Sequence, residues 1–478
     1  MTQRYETVIG LETHVELATK TKIFCACSTA FGGKPNSHTC PVCTGMPGSL
    51  PVLNREVLNA AIAVGLATNC KITRDSRFDR KNYFYPDNPQ NYQISQLYAP
   101  ICTDGHVTIT TEAGPKTIRI HEIHMEEDAG KLIHDEWTNT SLVDYNRSGV
   151  PLLEIVSEPD MRSAEEVIAY LEKLRMLISY LGASDCKLQE GSMRADINIS
   201  VRPVGSTTFG TRTEMKNLNS FKAIAHCIAG ETERQIELLE MGRSVTQETR
   251  RWDENKESSR AMRSKEDAKD YRYFPDPDLP PVHVTEAQLE KAAAGLPEFR
   301  EEKTERFRKT YGLPEKDIAI LTEVRQTADF FEEAGRLSGE PKKTANYLIV
   351  ELRQLQKERG LDADRIPFSA EHLASLVRMS TDGRISSGAA KQIFAAMFEA
   401  DVDPESYAET NGLLIVRDDS ALDSAVKNAI AANPKAVEDY RSGKKKALGA
   451  LVGAVMKETR GQADPAEVNK RIIRTLEG

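Results

Sequence analysis

The segment that most limits how this chain can fold is FPDPDLPP, which ends at Pro281. It carries four prolines within seven residues: Pro275, Pro277, Pro280 and Pro281. Proline fixes φ and has no N–H to donate, so no helix or interior strand can run through such a stretch. The texture of the sequence differs on its two sides. Before it, YETVIGLETHVEL, HVTITTE, KTIRIHEIHMEE and ADINISVRP alternate or run β-branched, with Gly and Pro-Asp turns between them, which predicts strands. Two amphipathic helices interrupt that pattern. One is predicted over Ser163–Leu181, where Ser163 and Glu166 form a capping-box pattern ahead of Val167, Tyr170, Leu171, Leu174 and Ile178. The other is predicted from about Phe221 to Met241, stopped by Gly242.

After the prolines the pattern becomes short helices with polar joints, as in PEKDIAILTEVRQTADFFEEAGRLSG, SAEHLASLVRM and SSGAAKQIFAAMF, where Ser387 is a candidate cap. A chain of 478 residues is too long for one core, so roughly two to four domains are expected. The fold class expected is multidomain α+β, with a β-rich N-terminal domain, an all-α helical domain and a small all-α tail.

Charge narrows the function classes. The net charge of −9 argues against a whole-surface nucleic-acid binder, yet residues 434–478 hold ten Lys and Arg against six Asp and Glu, including Lys444, Lys445 and Lys446. That run is either a patch for nucleic-acid phosphates or a solubilising surface. No stretch approaches the roughly 18 to 20 apolar residues of a membrane span. The charged start MTQRYETVIGLETH lacks the apolar region of a secretory signal, so a cytoplasmic location and reduced thiols are expected.

Cys25, Cys27, Cys40 and Cys43 fall within nineteen residues, as two closely spaced pairs. Thiolates on two tight knuckles suit tetrahedral structural zinc, a closed site without an open catalytic position. Cys70, Cys102, Cys186 and Cys227 are scattered and read as small core residues.

Carboxylates and a histidine recur in polar segments of the first region: Glu12 and His14, Glu126 to Asp128, Glu154, Asp196 and Glu214. Hard Mg²⁺ sites use one or a few carboxylates and leave room for phosphate oxygens. Glu12 and His14 share a face if their segment is a strand. Glu126 and Glu127 then face opposite sides, so only one reaches a given site without a bulge. Solvated strand edges would give the same spacing. Lys81 opens DRKNYFYPDNPQNYQISQ, an aromatic and amide-rich loop suited to holding a ligand. No G-x-x-x-x-G-K-[ST] or G-x-G-x-x-G occurs, so an ATP site here would be of another design. The serines of GRISSG open a helical run and read as capping, not as an amidase nucleophile.

The segments DRKNYFYPDNPQNYQISQ, HMEEDAGK, NRSGVPLLEIVSEPD, DYRYFPDPDLPP and SGKKKALGALVGAVMKETRGQADPAEVNK together resemble the B subunits of the aspartyl/glutamyl-tRNA(Asn/Gln) amidotransferase, the GatB/GatE family of the GatCAB complex. The resemblance covers essentially the whole chain. It implies a cradle domain with a kinase-like site at 1–292, a helical domain at 293–408 and a YqeY-like, tRNA-contacting tail at 409–478. It implies a ligase that forms a carbon–nitrogen bond with glutamine as amido donor. ATP phosphorylates the side-chain carboxylate of Glu-tRNA(Gln) or Asp-tRNA(Asn), and ammonia from the A (glutaminase) subunit displaces the phosphate. The implied partners are that glutaminase, a small C subunit and the misacylated tRNA. By the same resemblance, His14, Glu127 and Glu154 fall on Mg²⁺-ligand positions. Glu12, Lys81, Glu126, Asp196 and Glu214 fall on other catalytic positions, with Glu12 and Lys81 also toward ATP. The four cysteines match a structural Zn²⁺ site, and Lys444, Lys445 and Lys446 are the candidate tRNA contacts. The alternative is a non-catalytic, zinc-containing tRNA-binding scaffold subunit.

Overall fold

The computed structural model describes residues 4–135, 137–254, 256–264, 271–415, 419–442, 444–459, 463 and 465–477. The chain divides into two compact units, Met1–Phe299 and Arg300–Gly478.

The first unit is built on a nine-stranded mixed sheet. Its strands are β1 (Tyr5–Glu16), β2 (Lys71–Ile72), β3 (Cys102–Thr111), β4 (Gly114–Glu127), β5 (Pro151–Ser157), β6 (Met193–Pro203), β7 (Thr213–Lys216), β8 (Glu248–Asp253) and β9 (Ser258–Ser264). They lie in the order β9-β8-β7-β6-β1-β5-β4-β3-β2. The β7–β8 pair is parallel and the other neighbours are antiparallel. Period-two patterning puts Ile9, Leu11 and Val15 of β1 in one core with Ile123 and Met125 of β4, Leu153 and Ile155 of β5, and Ile197 and Ile199 of β6. Helices α1 (Arg55–Ala67), α2 (Ala164–Leu181) and α3 (Phe221–Glu240) cover that face, and Val57, Tyr170, Leu174, Ile224 and Cys227 join the same core. All four scattered cysteines are buried.

Both long helices form where the periodicity places them. The hydroxyl of Ser163 accepts from Glu166 N at 3.2 Å, and α2 stops at Gly182, whose φ of 71° is cheap only for glycine. The reciprocal half of the capping box takes another route. The Glu166 carboxylate accepts instead from Arg162 N at 2.6 Å and from Lys116 Nζ.

The proline run does not form a free linker. Phe274–Pro275 pairs with the strand Asp79–Asn82, which also pairs with Tyr92–Ser95. Val282–His283 pairs with Asp75–Ser76. These two-residue pairings are as short as proline allows, and they return the segment to the first unit.

The second unit is helical and contains two hydrophobic cores. One runs from Phe307 to Ala408 and the other from Ala425 to Leu476. The cap expected at Ser387 is one residue earlier. Ser386 is extended (φ −77°, ψ 161°), and its hydroxyl accepts from Ala389 N. No helix among the described residues is long and apolar enough to cross a membrane.

Candidate functional site

The face of the sheet opposite the helices carries the polar residues. Alternation turns Glu12 and His14 away from Leu11, Thr13 and Val15, which are buried on the core side. Register then does the assembly. His14 lies opposite Glu154 of β5 and Arg194 of β6, and Glu154 lies opposite His124 of β4. One row of side chains, Arg194, His14, Glu154 and His124, therefore crosses four strands. Beside it Glu12 lies opposite Asp196, and Glu214 of β7 lies opposite Asn198. Glu126 follows His124 on the same face at a spacing of two.

The distances show two clusters. His14 Nε2 is 3.2 Å from Glu154 Oε2 and 3.6 Å from Glu126 Oε1. One donor atom from each of His14, Glu126 and Glu154 lies within 4.8 Å of the others, and the same holds for Glu12, Asp196 and Glu214. The second cluster already holds a cation: Lys216 Nζ lies 2.5 Å from Asp196 Oδ2 and 2.7 Å from Glu214 Oε1. Asn198 donates to Glu12 at 3.0 Å and Thr249 donates to Glu214 at 2.7 Å. His14, Lys81, Glu126, Asp196, Lys216 and Arg251 line one cavity of about 460 Å³. Lys81 reaches it from the strand Asp79–Asn82, with its Nζ 5.1 Å from the centre of the Tyr271 ring.

Burial and charge pull against each other across this floor. Burial opposes charge on His14, but Glu154 and Glu126 beside it raise its pKa above the ordinary imidazole value. Burial likewise opposes charge on Glu154, yet His124 and His14 hold it well below the usual carboxylate range. Lys81 is desolvated, and Glu126 is the strongest of the groups that keep it charged. Burial and the neighbouring Glu154 raise Glu12.

The trio differs from the expected one. The structure brings Glu126, not Glu127, to His14 and Glu154. With no bulge between them on β4, adjacent residues take opposite faces. The Glu127 carboxylate accepts from Gln90 Nε2 at 2.5 Å and from Ile94 N at 3.0 Å. It lines a separate cavity of about 340 Å³ with Lys22, Cys43 and Arg80, and burial pushes its pKa up to about 8. Sequence reasoning missed His124, Lys216 and Asn198. Each sits two residues from a named acid or opposite one, so strand parity was the signal available.

The sulfurs of Cys25, Cys27, Cys40 and Cys43 also lie within 4.8 Å of one another. Tetrahedral Zn–S bonds of about 2.3 Å imply sulfurs about 3.8 Å apart, and Cys40 Sγ and Cys43 Sγ are 4.0 Å apart. The donor set therefore fits the group. A thiol hydrogen bond from Cys25, with Lys22 Nζ at 3.4 Å, lowers the Cys43 pKa to about 4 despite burial, while Cys25 moves the other way.

Residues 7–290 match the model of the GatB/GatE catalytic domain, and residues 329–476 match that of the GatB domain that carries the YqeY designation. The chain belongs to the GatB/GatE family. The B subunit of the aspartyl/glutamyl-tRNA(Asn/Gln) amidotransferase from Agathobacter rectalis is 67% identical over 99% of this chain and 100% of its own length. The B subunits from Lachnospira eligens and Lachnoclostridium phytofermentans are 62% and 57% identical, over 97% and 99% of this chain and 98% of their own lengths in both cases. The GatB/GatE catalytic match contains both acidic clusters, Lys81 and the cysteines.

Elsewhere in this GatB/GatE chain, Lys444 pairs with Asp439 at 2.9 Å. Lys445 and Lys446 are exposed and begin a single turn at Lys445–Ala447.

Proposed function

We propose that this chain is the activating B subunit of a glutamine-dependent tRNA amidotransferase. It would phosphorylate the side-chain carboxylate of Glu-tRNA(Gln), Asp-tRNA(Asn) or both with ATP, and amidate it with ammonia from the glutaminase (A) subunit. With a small C subunit these would form the cytoplasmic complex. A carboxylate becomes a competent acyl donor only when one oxygen is made a good leaving group, which is the role of the phosphoryl group.

The observation that carries the reading is that His14 and Glu126 of one cluster, Asp196 of the other and Lys81 line one cavity, with Glu154 beside the first pair and Glu12 and Glu214 beside Asp196. Carboxylate oxygens suit Mg²⁺, so Glu126 and Glu154, with His14, would hold it, and Glu126 takes the place the resemblance implied for Glu127. Bound there, the ion would neutralise charge on the transferring phosphoryl group. Lys81 supplies a fixed positive charge on the same cavity, suited to a phosphate oxygen of ATP. Asp196 and Glu214 fix Lys216, and Glu12 fixes Asn198, so a second cation lining that cavity is also preorganised. The cysteines would bind structural Zn²⁺ away from the chemistry, and the Lys444–Lys446 turn would contact the tRNA body.

The test is a dissociation in the reconstituted complex. Glu154→Ala and Glu126→Ala should lower amidation and tRNA-dependent ATP cleavage by about 10²- to 10³-fold, with basal glutamine hydrolysis by the glutaminase retained. Ammonium salts should not rescue them, because the lost step precedes ammonia attack. Wild-type ATP cleavage in both variants would favour a scaffold role, and ammonium rescue would assign these residues to ammonia delivery.

A further inference from the structure

His124 belongs to the row of polar residues but not to either three-residue cluster. It is buried, and its Nε2 lies 3.2 Å from Glu154 Oε2 and 3.8 Å from Glu126 Oε2. Its Nδ1 lies 3.5 Å from Glu122 Oε1. Glu154 Oε2 is therefore approached at the same distance from both flanking strands, by His14 on β1 and by His124 on β4.

The two imidazoles are not equivalent. His14 reaches Glu154 through Nε2. That same nitrogen sits within 3.6 Å of Glu126 and is the atom His14 would offer a cation at the trio. An imidazole nitrogen has one lone pair or one proton to give. Once His14 Nε2 is committed to a cation, its hold on Glu154 is gone. His124 stands on the far side of Glu154 and remains.

We infer that His124 is a positioning residue that holds the Glu154 carboxylate, and with it Glu126, in the arrangement a divalent cation needs. The inference rests on the phosphorylation reading of the site. Partners of metal-binding carboxylates typically change metal affinity 10- to 100-fold when removed, because a freed side chain must be reordered on binding. His124 is buried and does not line the cavity, so its loss should act on metal occupancy and not on the rate once the site is filled.

The test uses the reconstituted complex with His124→Asn and His124→Gln. A glutamine amide nitrogen falls near the position of Nε2, and the shorter asparagine amide does not reach it. Mn²⁺ alone, titrated by electron paramagnetic resonance without ATP or tRNA, should bind His124→Asn at least about tenfold more weakly than wild type, and His124→Gln should recover most of that loss. The metal concentration for half-maximal tRNA-dependent ATP cleavage should rise by the same factor, with the rate at saturating metal near wild type. Equal Mn²⁺ affinity in wild type and His124→Asn would overturn the inference. So would identical behaviour of the Asn and Gln variants, or a lowered melting temperature in both with unchanged Mn²⁺ affinity. Glu154→Ala separates the levels. If it keeps wild-type ATP cleavage, the phosphorylation reading itself fails. If it is inactive while His124→Asn binds Mn²⁺ normally, only the role of His124 fails.

Discussion

Lys22 offers the most quantitative test of how the cysteine loops are held. Its side chain is fully buried. The ammonium donates to the carbonyl oxygens of His38 at 2.8 Å and Tyr145 at 3.1 Å, and lies 3.4 Å from Cys43 Sγ. It thus ties the second cysteine pair to the turn before β5. Lys22→Met keeps the apolar stem and removes the charge. Hydrogen bonds from a charged donor contribute about 1.5–3 kcal/mol each, partly offset by the relieved cost of burying the ion, so a net loss of about 3 kcal/mol is expected. Unfolding entropy for a unit the size of Met1–Phe299 is roughly 0.6 kcal/mol/K, which converts that loss into a fall in Tm of about 5 °C. Tryptophan fluorescence of the full chain reports this unit, since both tryptophans, Trp137 and the buried Trp252, lie in it. A shift below about 1 °C would refute this account and show that the carbonyls find other donors.

Three further outcomes follow from the same structure. Protein prepared under reducing conditions should contain one zinc per chain, and Cys40→Ser should expel it and lower the same melt; zinc-free wild-type protein by elemental analysis would count against the site. Replacing Lys444, Lys445 and Lys446 together with alanine should weaken tRNA binding and make its salt dependence shallower, and an unchanged salt slope would remove the contact. Glu127 holds in the fold a proton that the unfolded chain releases between pH about 4.5 and about 8, so its contribution to stability falls as pH rises through that window. Glu127→Gln should flatten that fall in denaturation measured from pH 5 to 8, and an unaltered pH profile would contradict the assignment.

Much of this was legible in the residues because local rules decided it. Val167, Tyr170, Leu171, Leu174 and Ile178 recur at helical spacing and form the buried face of α2. The paired cysteines meet because each pair sits on a short turn. What local rules leave open is a choice between neighbours that depends on tertiary pairing. Glu126 and Glu127 have the same chemistry, and only the register of β4 against β5 decides which one meets His14. Ser386 and Ser387 compete for one cap, which the turn before the helix assigns to Ser386. Nothing in the sequence separates His124 from a surface histidine between glutamates on an alternating strand. Its importance comes from lying opposite Glu154. The proline run was a sound signal of interruption, but the sequence alone does not show that its short strands pair back into the first unit.

The floor of the site is spread over β1, β4, β5, β6 and β7, inside the sheet and away from its edges. On such strands the chemical face is stored as odd or even position. Adding or deleting one residue in β1 would exchange Glu12 and His14 for Leu11, Thr13 and Val15, placing charge in the core and methyl groups in the cavity at once. Connecting loops that carry no site residue have no such parity and tolerate changes in length. Changes in length among related chains should therefore be confined to the loops, and the odd–even code of these five strands should persist even where individual side chains are replaced.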